Sequence, residues 1–163
     1  MIVLTTSSLE SDPVTASVRR DSNGAVVTFL GATRRTSEGK EVLYLEYEAY
    51  EPMARKKLEE IRREVMEKWS LQDVAIAHRF GRLEIEDLSL IVAVASPHRK
   101  EAFQACAYIV DRIKESVPIW KKEVFTDGQV WVGCQSHDHS LAQLSHKSAN
   151  TGAKSGPVGS RAS

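Results

Sequence analysis

Lys114-Glu115-Ser116-Val117-Pro118-Ile119-Trp120-Lys121-Lys122-Glu123 decides how the second half of this chain folds. A helix runs into it, because Ala102, Phe103, Cys106, Ile109, Val110 and Ile113 recur at the spacing of one helical face. Pro118 stops that helix, and a residue before proline is pushed toward extended backbone, so the chain leaves Val117 as a strand. The strand is expected over Ile119 to Phe125, with Asp127-Gly128 turning it toward Val130-Trp131-Val132 as a hairpin. Lys114 then falls on the last helical turn and Lys121 just past the corner. Two ammonium groups flanking one bend, beside the large Trp120 ring, suit an anion. On a helical wheel Lys114 lies at the edge of the apolar stripe, next to Val110, so partial burial is expected of it. Burial and like charge both oppose protonation of a lysine, and a neutral amine can serve as nucleophile or base. Lys122 alternates with Lys121 and is expected on the exposed side of the strand.

The same reading extends backward. Leu88 to Ala95 is a continuous apolar run, short and rich in β-formers, and reads as a central strand. Ser96-Pro97 opens the helix that ends at Pro118. Asp73 to Arg79 reads as a strand, Gly81 as a turn and Leu83-Glu84-Ile85 as a short strand. A helix from about Pro52 to Trp69 carries the stripe Ala54, Leu58, Ile61, Val65 and Trp69. The strand before it, Val42 to Tyr50, alternates Leu43, Leu45, Tyr47 and Ala49 with Tyr44, Glu46, Glu48 and Tyr50. Ala25 to Leu30 is a buried strand closed by Gly31, Ala32 to Lys40 a polar, mobile loop, and Ser11 to Asp21 a weak helix. Strand-helix-strand order occurs twice, from Val42 to Arg79 and from Leu88 to Phe125, which points to an α+β or mixed α/β domain.

The chain has 163 residues, of which 42% are apolar, enough for one core. Its folded domain is expected over residues 1–135. Ser136 to Ser163, rich in serine, glycine and alanine, reads as a disordered tail, since it offers too little apolar surface to offset its ordering entropy. Basic and acidic residues number 22 each. That balance gives no overall field for nucleic acid or an anionic membrane, so any anion site must be a local gathering of cations. No run approaches a membrane span, and residues 1–9 lack the basic start of a secretory signal. Two cysteines, Cys106 and Cys134, make no disulfide framework, and a reducing, cytosolic compartment is expected.

Cationic groups gather at strand ends in four places: Arg34-Arg35, His78-Arg79, His98-Arg99, and Lys114 with Lys121-Lys122. His98-Arg99 follows Ser96-Pro97 at a helix start, where free N–H groups and the helix dipole favour phosphate or carboxylate, and Arg99 adds a bidentate fork. Against this, most lysines and arginines are solvated surface groups. His78 alternates with Val74 and Ile76 and reads as a satisfied core histidine. Glu46 and Glu48 share a strand face that solvation explains as well as chemistry does. His137-Asp138-His139 lacks a third anchored metal ligand. No phosphate-binding glycine loop, CxxC or HExxH is present, and no cofactor or metal is expected.

Four segments occur in order: Leu45-Glu46-Tyr47-Glu48-Ala49-Tyr50-Glu51-Pro52-Met53-Ala54, His78-Arg79-Phe80-Gly81, Ser96-Pro97-His98-Arg99-Lys100-Glu101-Ala102-Phe103 and Pro118-Ile119-Trp120-Lys121-Lys122-Glu123. Together they resemble the MoaE family, the large, catalytic subunit of molybdopterin synthase, over about Gly24 to Val132. The resemblance implies an α+β fold of hammerhead type and a homodimer. Each of its chains would bind one small ubiquitin-like subunit, making a heterotetramer. It implies sulfur transfer from that subunit's Gly-Gly thiocarboxylate to cyclic pyranopterin monophosphate. The substrate-binding positions it implies are Ala32, Thr33, Arg34, His98, Arg99, Lys114, Lys121, Lys122 and Glu123, with Lys114 and Lys121 as the catalytic lysines. Arg35-Thr36-Ser37 departs from the asparagines of many relatives, and the tail does not end in Gly-Gly, so it is not expected to be a fused sulfur carrier. Two rival readings remain: a non-catalytic module docking an acidic C-terminus or phosphate, and a sulfurtransferase carrying persulfide on Cys106 or Cys134.

Overall fold

The apolar pattern sorts the chain into two sheets and three helices. The structure, a computed structural model, describes residues 1–132. The tail, Cys134 and the His137-Asp138-His139 cluster lie outside the described residues. The first sheet contains β1 (Ile2–Thr5), β5 (Asp73–Arg79), β7 (Leu88–Ser96) and β2 (Ala25–Ala32), in that order. β1 pairs parallel to β5, and the other pairs are antiparallel. The second sheet contains β3 (Thr36–Ser37), β4 (Lys40–Ala49), β8 (Ile119–Phe125) and β9 (Gly128–Val132), with β6 (Gly81–Leu83) on β4.

The two central strands of the first sheet are covered on both faces, which explains their unbroken apolar runs. On one face α2 (Glu51–Lys68) and α3 (Arg99–Ser116) pack Ala54, Leu58, Ile61, Val65, Cys106, Ile109 and Ile113 against Val74, Ile76, Val92 and Val94. On the other, Val14 and Val18, in and just past α1 (Ser11–Ser17), cover Ala75, Ala77, Ile91, Ala93 and Ala95. A smaller core of Val42, Leu45, Leu83 and Phe125 sits under the second sheet. The expected stripes hold except at Phe103, which stands 62% exposed while Ala105 takes the buried place.

Local departures have local causes. β1 lies outside the expected strands; its four residues pair with β5 and pack Ile2 and Leu4 against the helix-side core. The segment expected as a mobile loop is instead a hairpin, with Glu38 and Gly39 at φ 49° and 80°, the left-handed pair that a tight two-residue β-turn requires. Lys40 ties the hairpin to Asp127 at 3.0 Å, and the Val42 N–H donates to the Arg35 carbonyl at 2.8 Å. A bulge between Val42 and Tyr44 resets the alternation of β4. Val42 and Leu45 therefore both point inward, and Leu43 turns out to solvent. The short strand lies at Gly81–Leu83, two residues earlier than expected.

Candidate active site at the corner after the second long helix

The α3 helix ends at Ser116, and Val117 is extended at φ −86°, ψ 127°, as its place before Pro118 dictates. The Tyr50 N–H donates to the Pro118 carbonyl, fixing the corner against the end of β4. From this corner β8 runs antiparallel to β4, setting Lys121 opposite Tyr47 and Lys122 opposite Glu46.

The two lysines have opposite fates. Lys121 reaches Glu123, two residues along the same strand face, at 2.6 Å. Lys122, expected on the exposed side, is the more covered of the two, at 17% side-chain exposure against 30%. It pairs with Glu46, which holds its ammonium above the ordinary lysine value, and lies 5.2 Å from the Trp131 ring centroid. The outer face of β8 is thus lined by a pair and a ring rather than by solvent.

Glu123 is the hub of the other face. Burial alone would raise its pKa. Hydrogen bonds from Lys121 and Ser37, with the charges of Lys121 and Arg34, outweigh that and hold the carboxyl below its ordinary value. One buried carboxylate therefore links β8, the β3–β4 hairpin and the loop after β2. Ser37, a residue of the polar stretch after β2, is tied in through this contact. Sequence gave no signal for it beyond a hydroxyl in a polar stretch.

Of the loop residues, Ala32 is exposed at the end of β2 and Thr33 is buried. The Thr33 backbone is fixed to Asp87 and Glu86 at 2.9 Å each, while its hydroxyl has no partner among the described residues. Arg34 is exposed and lies within electrostatic reach of Glu123. Arg79 is committed to Asp87 at 3.1 Å. His78 is buried, with Nδ1 against the Arg79 carbonyl at 2.8 Å. Burial pushes its pKa down to about 4, as fits a neutral core histidine.

One expectation needs correction. Lys114 is exposed, not partly buried, because Ile113 and Val117 fill the inner side of that turn. Its side chain is therefore not desolvated within one subunit. Within one chain the cations of the two helix ends lie apart. His98 is the N-cap residue of α3 and Arg99 its first residue, whereas Lys114 is in its last turn. At about 1.5 Å per residue they stand on the order of 22 Å apart along the axis. Arg34, Lys121 and Glu123 come together; His98 and Arg99, both exposed, form a separate patch.

Cys106 is buried, its Sγ 4.0 Å from the Val92 carbonyl, and burial pushes its thiol up to about 11. A thiol so placed does not carry persulfide to a partner. Among the described residues no group of acidic, histidine and cysteine side chains could hold a metal ion, and no helix is long and apolar enough to cross a membrane.

The MoaE protein family matches residues 4–116. A molybdopterin synthase catalytic subunit from Halalkalibacterium halodurans is 53% identical over 112 residues, covering 69% of this chain and 72% of that protein. The crystal structure of molybdopterin synthase from Staphylococcus aureus superposes with a TM-score of 0.76 at 45% identity, covering 81% of this chain and 95% of that one. A complex of subunits 1 and 2 of molybdopterin-converting factor from Helicobacter pylori shares the fold, with a TM-score of 0.67 at 18% identity over 83% of this chain and 92% of that one. The chain belongs to the MoaE family, and its Halalkalibacterium halodurans relative is a molybdopterin synthase catalytic subunit.

Proposed function

We propose that this chain is the catalytic subunit of a cytosolic molybdopterin synthase. It moves sulfur from the C-terminal thiocarboxylate of a small ubiquitin-like subunit to cyclic pyranopterin monophosphate. The observation that carries the reading is the Arg34–Glu123–Lys121 cluster on the strand that follows the helix whose last turn holds Lys114, a local gathering of cations in a chain of zero net charge. Both reactants are anionic at the ends that must meet, and fixed cations stabilise charge that shifts as sulfur changes carbon.

In the transfer the thiocarboxylate sulfur bonds to a substrate carbon and displaces an oxygen from it, which stays on the phosphate as the ring opens or leaves as water. The bond from sulfur to the donor's acyl carbon breaks, and water supplies the oxygen that leaves the donor as a carboxylate. Lys114 receives the donor terminus, either as a charge partner or through a transient amide with the acyl carbon that water then opens. Lys121, its ammonium shared with Glu123, orients the substrate or passes a proton as the phosphate ring opens. Ala32, Thr33, Arg34, Lys122 and Glu123 complete this corner by contact or by holding the lysines.

His98 and Arg99 bind phosphate or pterin in this reading, and one chain cannot bring them to Lys114 along a single helix. A homodimer resolves this if each site takes His98 and Arg99 from the second copy. Each copy then carries one small subunit, giving a heterotetramer.

The test is single-turnover conversion of the cyclic pterin phosphate with thiocarboxylated partner. Lys114→Ala is expected to lower product formation at least a hundredfold while the subunits still co-purify. Full turnover by that variant would remove the mechanism. A wild-type chain that binds the partner but forms no product would favour the docking-module reading.

A further inference from the structure

Lys121 has a fixed neighbour on each side. Across the ladder to β4 it faces Tyr47, across β9 it faces Val132, and along its own strand it is paired to Glu123. Residues directly opposite in an antiparallel pair hold their Cβ atoms about 4.5–5.5 Å apart and share a face. Lys121 and Tyr47 therefore leave the sheet side by side on the same face. The Tyr47 ring is itself braced: its centroid lies 5.4 Å from the His78 ring at 71°, an edge-on contact between the second sheet and the first. His78 is buried and held through Nδ1, which fixes the orientation of the ring that Tyr47 meets. Tyr47 is half-buried, and its hydroxyl is not among the buried atoms lacking a partner.

We propose that Tyr47 is a positioning residue for Lys121. Its ring, locked on His78, restricts the lysine stem so that the ammonium stays at Glu123 and in line with the substrate. This rests on the catalytic reading above and deepens it. The ring carries the effect and the hydroxyl does not, because the stem is apolar and flexible and a flat immobile wall removes its alternative rotamers.

Two measurements on the intact complex test it. The first needs no turnover: limited acetylation with acetic anhydride, read by mass spectrometry at each lysine. Tyr47→Ala is expected to raise labelling of Lys121 by about threefold or more relative to Lys122, and Tyr47→Phe to leave the ratio as in the wild type. The second is kinetic. Tyr47→Ala is expected to lower kcat about tenfold with KM changed less than about threefold, and Tyr47→Phe to recover most of the loss. In a Lys121→Arg background the Tyr47→Ala effect is expected to shrink to about twofold, since residues acting as one unit are not additive. Unchanged Lys121 labelling, or the same fold loss in both backgrounds, overturns the proposal. Should Tyr47→Ala fail to fold, Tyr47→Leu keeps apolar volume without the flat ring and is read in the same way. An inactive wild type refutes the catalytic reading, while the labelling ratio still decides the role of Tyr47.

Discussion

Replacing Glu123 with glutamine isolates the carboxylate that joins three segments of the corner. The substitution keeps shape and removes charge, so Lys121 and Arg34 lose their shared counter-ion while the Ser37 contact can persist. An exposed ion pair is worth about 0–1 kcal/mol, and removing one member of a buried pair costs about 3–5 kcal/mol. Here the carboxylate is buried and the lysine is 30% exposed, so water can rehydrate the ammonium. The expected loss falls between, at about 2 kcal/mol, or about 4–8 °C in Tm for a chain of this size. The pH dependence fixes the cause. The folded pKa of Glu123 lies below its ordinary value, so its contribution is complete above the unfolded pKa of about 4.3 and fades as pH falls through the folded value. Urea midpoints of wild type and Glu123→Gln should therefore differ fully at pH 7 and pH 5.5 and draw progressively closer as pH falls below the unfolded pKa. A gap that keeps its size down to pH 3.5, or no gap at pH 7, would refute the ion-pair account.

His78 should give a slope in a different window. Its folded pKa of about 4 lies below the unfolded 6.5, so stability is complete above pH 6.5 and is lost as pH falls, by about 3 kcal/mol at pH 4; in His78→Gln that slope should flatten. Gly24 packs where an added Cβ would meet the Pro97 carbonyl oxygen at 2.7 Å, so Gly24→Ala should cost about 1–3 kcal/mol by denaturant titration. Leu58→Ala, at a fully buried position of α2, should cost about 2–5 kcal/mol in the same assay. Cys106→Ala should retain product formation from supplied thiocarboxylate, and its loss would revive a cysteine-borne sulfur route.

Much of this was legible in the chain, and for stated reasons. β5 and β8 match their expected limits because strand runs bounded by Gly or Pro leave little choice. The long helices followed from 3.6-residue periodicity and from Pro52 and Pro118. The motif order around Leu45–Ala54, His78–Gly81, Ser96–Phe103 and Pro118–Glu123 identified the family before any coordinate did, and that identification holds. What sequence alone determined was therefore local: where the backbone turns, which residues lie on one face, and which lysines flank the corner.

Tertiary structure decided everything that depends on distance between segments. It made Lys122 the covered lysine by setting Glu46 and Trp131 against it, and left Lys114 exposed because Ile113 and Val117 filled the inner side of its turn. The bulge at Val42 reversed Leu43, the pairing with β5 created β1, and Glu123 became a hub through partners some 90 residues away in Arg34 and Ser37. It also separated His98 and Arg99 from Lys114 by the length of α3. Periodicity reports the direction of a side chain from its own backbone; it carries no information about which chemical group another strand or helix will bring to meet it.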